Sequence, residues 1–196
     1  MFRHILLAIA TVIGLGAQAI GASAANSAHP AATADTTQAN SAVTQSRTVG
    51  SWIVRCYRTP GSVCDISQVA YDRQQNLRVL GVSIAFVPDR NLYTARFVVP
   101  LLVSFAKGMT IEVGSFRLPG LKYRRCERDG CYVEGVLPPQ MIGAMAQSGV
   151  SKGAVEVAAI NGKVVAIPMA FDGFAEGLSQ MKQWDAEKIA PAVAKP

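Results

Sequence analysis

The residues best equipped for chemistry are four cysteines, Cys56, Cys64, Cys126 and Cys131, in a chain whose only histidines are His4 and His29. Thiols can form disulfides, ligate metals or act as nucleophiles. Zinc held by cysteines favours close pairs such as Cys-x2-Cys, whereas seven residues separate Cys56 from Cys64 and four separate Cys126 from Cys131. Redox exchange favours Cys-x-x-Cys, which does not occur. A thiolate or serine nucleophile wants an imidazole base, and both histidines sit near the N-terminus, ahead of the predicted folded region. Disulfides are therefore the first reading. Four cysteines permit three connectivities. Thr59-Pro-Gly-Ser62 between the first pair and Glu127-Arg-Asp-Gly130 between the second are turn-forming, so two local bridges demand the least long-range structure. Crossed pairings stay open at this level. Each local bridge is worth roughly 2–3 kcal/mol in the loop-entropy model.

A second cluster is Lys122-Tyr123-Arg124-Arg125, with Arg128 just beyond Cys126. Basic residues beside an aromatic can grip phosphate or a nucleic-acid backbone. The plainer reading is a solvated hairpin whose charges discourage edge pairing. Side chains alternate along a strand, so these residues cannot all point one way. With an export signal upstream, nucleic acid is disfavoured as a partner. An anionic membrane, a glycan surface or another host-cell component fits the charge better. Carboxylates at Asp65, Asp72, Glu134 and Glu156 could support hydrolysis if two of them converged within about 5–10 Å, but spacing alone cannot bring them together. Neither Gly-x-Ser-x-Gly, Gly-x-Gly-x-x-Gly nor a P-loop is present, and no metal or cofactor site is expected.

These groups must be positioned by a chain of 196 residues, 50% hydrophobic, 16% charged and carrying a net charge of +6. So much apolar content excludes disorder over the whole length. Arg3, the apolar run Ile5 to Ile20 and the small residues Gly21 to Ala25 form a signal peptide, with cleavage expected after Ala24. An apolar run of 16 residues is short of the roughly 20 needed to span a bilayer as an anchor. Residues 1–24 are thus assigned to export and the mature protein to the periplasm or the cell exterior. Residues 25–47 are nearly all Ala, Ser, Thr, Asn and Gln and read as a disordered linker. The folded domain is expected over residues 48–189, and residues 190–196 as a disordered tail.

Within the domain, alternation predicts strands over 49–56, 77–87, 92–99, 109–113, 121–126, 131–137, 154–160 and 163–169. Asn161-Gly162 joins the last two as a hairpin. Many short strands with turn signals indicate an all-β sandwich or barrel. Pro138-Pro139 opens a short helix ending before Gly149, and Asp172 caps a second helix that places Phe174, Leu178 and Met181 on one face.

Trp52-x-x-x-Cys56 with Cys64, Pro100-Leu-Leu-Val103 leading to Lys107-Gly108, and Tyr123-Arg-Arg-Cys126 followed by Gly130-Cys131 together resemble the invasion-associated locus B family. Pro168 and Gly173-Phe174 fit the same pattern. The resemblance implies an exported alphaproteobacterial protein with an immunoglobulin-like antiparallel β-sandwich and two short helices. It carries over no catalytic residue. Two functional readings follow. The favoured one is a non-enzymatic envelope protein that binds a macromolecular partner and assists host-cell interaction or invasion. The alternatives are a periplasmic carboxylate-based hydrolase and an envelope-stabilising structural protein.

Overall fold

The structure, a computed structural model, describes residues 43–59, 61–147, 149 and 152–189; the signal, the tail and most of the linker lie outside them. Eleven strands are present among the described residues, all paired antiparallel. They are β1 (Val43–Val49), β2 (Trp52–Tyr57), β3 (Asp65–Asp72), β4 (Leu77–Val87), β5 (Leu92–Val99), β6 (Met109–Val113), β7 (Phe116–Leu121), β8 (Tyr123–Glu127), β9 (Gly130–Leu137), β10 (Lys152–Ala158) and β11 (Val164–Ala170). One sheet has seven strands in the order β1-β2-β3-β4-β5-β9-β8, and the other has four, β11-β10-β6-β7. The helices are α1 (Pro139–Ala146) and α2 (Phe174–Ile189).

Period-two alternation sets the faces. Trp52, Val54 and Cys56 on β2, Leu80, Val82 and Ile84 on β4, and Ala95, Phe97 and Val99 on β5 are buried. They join Ile111 of β6, Val155 of β10, Met141 of α1 and Phe174 of α2 in one continuous core. This is an antiparallel β-sandwich with two helices. α2 lies against β1, β2 and β3. Gly177 permits that approach, since a Cβ there would stand 2.6 Å from Ile66 Cδ1. The start of α2 also interlocks with the β1–β2 turn. Ser51 N–H donates to Asp172 O (3.1 Å), Ser51 Oγ donates to Asp172 Oδ1 (2.7 Å), and Gly173 leaves no room for a Cβ, which would stand 2.3 Å from Val49 O.

Three strands depart from the sequence reading, each for a physical reason. β1 begins at Val43, so residues 43–47 belong to the sheet and not to the linker. Its exposed edge position tolerates polar side chains, because only backbone pairing to β2 is required. β3 is central despite Asp65, Ser67 and Gln68, because neighbouring elements satisfy each of these buried polar groups. β7 contains Pro119 and Gly120 and survives as an edge strand, where a missing donor faces no partner.

Candidate functional site

Alternation along β2, β3, β4, β5 and β9 gives the seven-stranded sheet a second face, turned away from the core. Register brings Arg55 beside Asp65, Ser83 beside Arg96, and Arg96 beside Glu134. The result is a polar ladder across the sheet. Asp65 accepts from Arg55 Nε (3.2 Å) and Nη2 (3.0 Å), from Tyr57 Oη (3.0 Å) and from Ser83 Oγ (2.7 Å). Glu134 accepts from Arg96 Nε (2.8 Å) and Arg125 Nη1 (3.0 Å). Burial and the adjacent Asp65 carboxylate push the Tyr57 phenol up to about 12. Burial works against ionisation of Glu134, but its bonds to Arg125 and Arg96 outweigh that and hold its carboxyl below the usual range.

An open groove of about 840 Å³ runs along this face, with Tyr57, Asp65, Ser83, Arg96, Arg124 and Glu134 among its walls. A second depression of about 590 Å³ shares Ser83 and Arg96 and extends toward Ile53, Val69 and Tyr71. Ile53, Val69, Tyr71 and Val136 are exposed there, so the face mixes ion pairs with apolar side chains.

The two carboxylates that reach the groove are Asp65 and Glu134. Asp72 instead caps the β3–β4 turn by accepting from Gln74 N (2.8 Å). Glu156 lies on the other sheet, where Arg117 bridges it to Glu112. The four candidate carboxylates therefore do not form one constellation. The two in the groove are each tied to arginine, Asp65 to Arg55 and Glu134 to Arg96 and Arg125, and for Glu134 those bonds favour the ionised form. Among the described residues no three His, Cys, Asp or Glu side chains are placed to hold a metal ion.

The basic run is split in the same way. Tyr123 faces the core, 8% exposed, and packs against Phe105 in a tilted pair with ring centroids 5.2 Å apart. It does not belong to a surface patch, because it packs inward across from Val133. Burial pushes its phenol up to about 12, and Tyr123 Oη meets no partner among the described residues. A bulge between Tyr123 and Arg125 breaks the strict alternation, so Arg124 lines the groove while Arg125 also reaches Glu134 on that face. Arg125 is held by Glu127 and Glu134 and lies 4.3 Å over the Tyr132 ring. Lys122 is exposed at the β7–β8 junction and Arg128 at the hairpin tip. Only Arg124 of the run brings a cation to the groove without a carboxylate partner among the described residues.

Cys56 is bonded to Cys64, and Cys126 to Cys131. The first bridge is buried under α2, where Cys64 N–H donates to Asp185 Oδ1 (2.7 Å). Lys188 Nζ caps Tyr57 O (3.0 Å) and Ser62 O (2.8 Å) in the same loop. The second bridge closes the β8–β9 hairpin at the sheet edge and so fixes where Arg124 stands. Sequence reasoning missed the ladder of Arg55, Tyr57, Ser83 and Arg96. The available signal was a few outward polar residues on β2, β4 and β5, which become informative only once register is known.

No helix among the described residues is long and apolar enough to cross a membrane. The sequence from 52 to 182 matches the family model described as invasion associated locus B (IalB) protein. No curated protein matches the chain. A similar solved structure is that of invasion associated protein B from Bartonella henselae, at 18% identity and a TM-score of 0.64. The alignment covers 72% of this chain and 99% of that one.

Proposed function

Given that the chain belongs to the invasion associated locus B family, we propose that it is an exported envelope protein that binds a macromolecular partner on the outer face of its seven-stranded sheet. One observation carries this reading. The groove is wide and open, its carboxylates are already occupied by arginines and a tyrosine, and a single extra cation, Arg124, stands in its wall. Such a surface offers polar and apolar contacts to a ligand, and both of its carboxylates already have protein partners, which supports binding over hydrolysis. Two disulfides, and a leader with the three parts of a signal peptide, support export to the periplasm or cell exterior. The invasion-associated description of the family supports a host-cell component as the partner.

The test is recovery of partners from intact envelopes and from host cells with the purified protein and with Arg124→Glu. We expect the parent to retain a partner that Arg124→Glu loses at unchanged melting temperature. Equal retention by both proteins would reject the groove as the binding surface. Retention of an envelope component alone would favour the envelope-stabilising role. Catalytic turnover abolished by Asp65→Asn would restore the hydrolase reading.

A further inference from the structure

A different surface lies at one end of the sandwich, where the β5–β6 loop meets the β10–β11 hairpin. Leu102 is 70% exposed and Ile160 is 68% exposed, with Leu101 and Phe105 also in solvent. Isolated exposed leucines are ordinary, but these belong to two loops bonded into one unit. Val103 bridges to Ala159, Ser104 N–H donates to Ala158 O (2.7 Å), and Ile160 N–H donates to Leu102 O (2.9 Å). The hairpin closes on itself through Ala159 N–H to Lys163 O (2.8 Å) and Gly162 N–H to Ala159 O (2.9 Å). The β5–β6 loop does the same through Lys107 and Gly108 N–H, both donating to Ser104 O. These backbone groups are satisfied inside the protein and do not depend on water.

The backbone at Leu102 is strained. Its φ is +66°, a left-handed conformation that a branched apolar side chain adopts rarely. Folding would be easier with glycine or asparagine at this position, yet the strain holds a leucine outward beside Ile160. Strain of this kind at an exposed position points to a function elsewhere than in the fold. Within the two loops the charge has one sign, while the acids of the adjoining β8–β9 hairpin, Glu127 and Asp129, are already paired with Arg125 and Arg78. Lys107 and Lys163 sit in the two loops and Lys122 follows Leu121, whose carbonyl packs on Gly108. No Asp or Glu occurs in residues 100–108 or 159–167.

We propose that this tip docks on an anionic bilayer: Leu101, Leu102, Phe105 and Ile160 enter the headgroup–acyl boundary while Lys107, Lys122 and Lys163 contact lipid phosphates. Apolar side chains ringed by lysines, on a loop pair whose named backbone donors are already used, match the demands of an interface where water is scarce. Lysine stems can lie along the apolar layer with their ammonium groups at the phosphates. A second copy of the chain fits worse, because a self-contact would place the same lysines against one another without an acid in either loop. The inference is independent of the groove.

The test is co-sedimentation of the protein, purified as the exporting cell processes it, with vesicles of phosphatidylcholine alone and of phosphatidylcholine mixed with phosphatidylglycerol. We expect binding to the mixed vesicles, reduced about tenfold or more by the double variant Leu102→Gly/Ile160→Ser, a loss of about 1.4 kcal/mol or more. Lys107→Glu/Lys163→Glu should abolish the preference for phosphatidylglycerol. Leu102→Gly alone relieves the left-handed backbone and so should bind more weakly at an equal or higher melting temperature, a combination that a merely structural leucine would not produce. Arg124→Glu should leave vesicle binding unchanged, which separates this outcome from the groove's. No binding to mixed vesicles, or equal binding by the double variant, overturns the proposal. So does self-association in sedimentation velocity that the double variant removes while vesicle binding stays absent.

Discussion

The two disulfides close loops of similar length in very different surroundings. Cys56 and Cys64 are both fully buried, and α2 clamps their loop through Asp185 and Lys188. The Cys126–Cys131 bridge sits in an edge hairpin whose cysteines are exposed on one strand and buried on the other. Charged pairs at Arg125, Asp129 and Glu134 surround that hairpin. The covalent device is the same, but it serves the core in one place and a surface in the other. The entropy removed from the unfolded chain is nearly equal for both, so any difference between them reports burial.

The largest expected effect tests that difference directly. Cys56→Ala/Cys64→Ala should lose about 3–5 kcal/mol, the loop entropy plus a cavity beneath α2. Cys126→Ala/Cys131→Ala should lose about 2 kcal/mol, since only Cys131 is buried and Cys126 lies in solvent, so the cavity left is smaller. Urea midpoints of the two variants would settle the ranking, and equal losses would break the comparison.

Next comes the joint that presses α2 onto the buried bridge's side of the sheet. Gly173 has φ +78°, and a Cβ there would lie 2.3 Å from Val49 O, so backbone must move to admit one. Gly173→Ala should cost about 2–4 kcal/mol. Gly120 on the β7 edge has φ +74° with open space around it, so Gly120→Ala carries only the left-handed penalty, about 1 kcal/mol. Thermal unfolding of both variants would show whether packing or dihedral preference dominates.

The two regions should also respond to pH with opposite sign. Burial raises the Asp185 carboxyl above its ordinary value, more than Cys64 N–H and Lys188 lower it. A raised folded value means that the folded state binds the proton more tightly than the unfolded chain does. This contribution to stability is complete below the ordinary aspartate range and is lost as pH rises through the folded value. At the edge, the Tyr132 hydroxyl and Arg78 lower Asp129, and Arg125 and Arg96 lower Glu134 against its burial. Their contribution is present above the ordinary carboxylate range and is lost as pH falls through the lowered folded values. Asp185→Asn keeps an Oδ1 acceptor for Cys64 N–H and removes the titration. Its stability relative to the parent should therefore grow as pH rises from about 4 to about 7. A difference independent of pH would refute the assignment.

The smallest effects belong to the hairpin cations. Arg128→Ala at the exposed tip should change stability by less than about 0.5 kcal/mol. Arg125→Ala should be somewhat more disruptive, because it strips a cation from Glu127, Glu134 and the Tyr132 ring, and its effect should shrink at high salt. Chemical denaturation at two salt concentrations would distinguish the residues.

Much of the sandwich is written locally. β4, β5 and β6 announce themselves by alternation, and their predicted bounds coincide with the strands observed. The Pro138-Pro139 start of α1 is equally local, because turns involve only neighbouring residues, whereas the Asp172 carboxylate, expected to cap α2, accepts from Ser51 Oγ on the β1–β2 turn. The cysteine pairs are local as well, each spanning one turn.

What tertiary structure alone decided is which polar residues find partners. Asp65 looks like a loop residue until β2 and β4 supply Arg55, Tyr57 and Ser83 across the register. Gln68 becomes a core residue only because Ser51 and Ala170 complete its hydrogen bonds. Lys122, Tyr123, Arg124 and Arg125 are one cluster in sequence, yet Tyr123 turns into the core and the bulge after it brings both Arg124 and Arg125 to the groove's face. Leu102 and Ile160, far apart in sequence, meet through one backbone bond. Alternation and turn preference are properties of a few adjacent residues and can be read along the chain. Satisfying a buried polar group or assembling an exposed surface depends on strand register, which exists only after distant segments have paired.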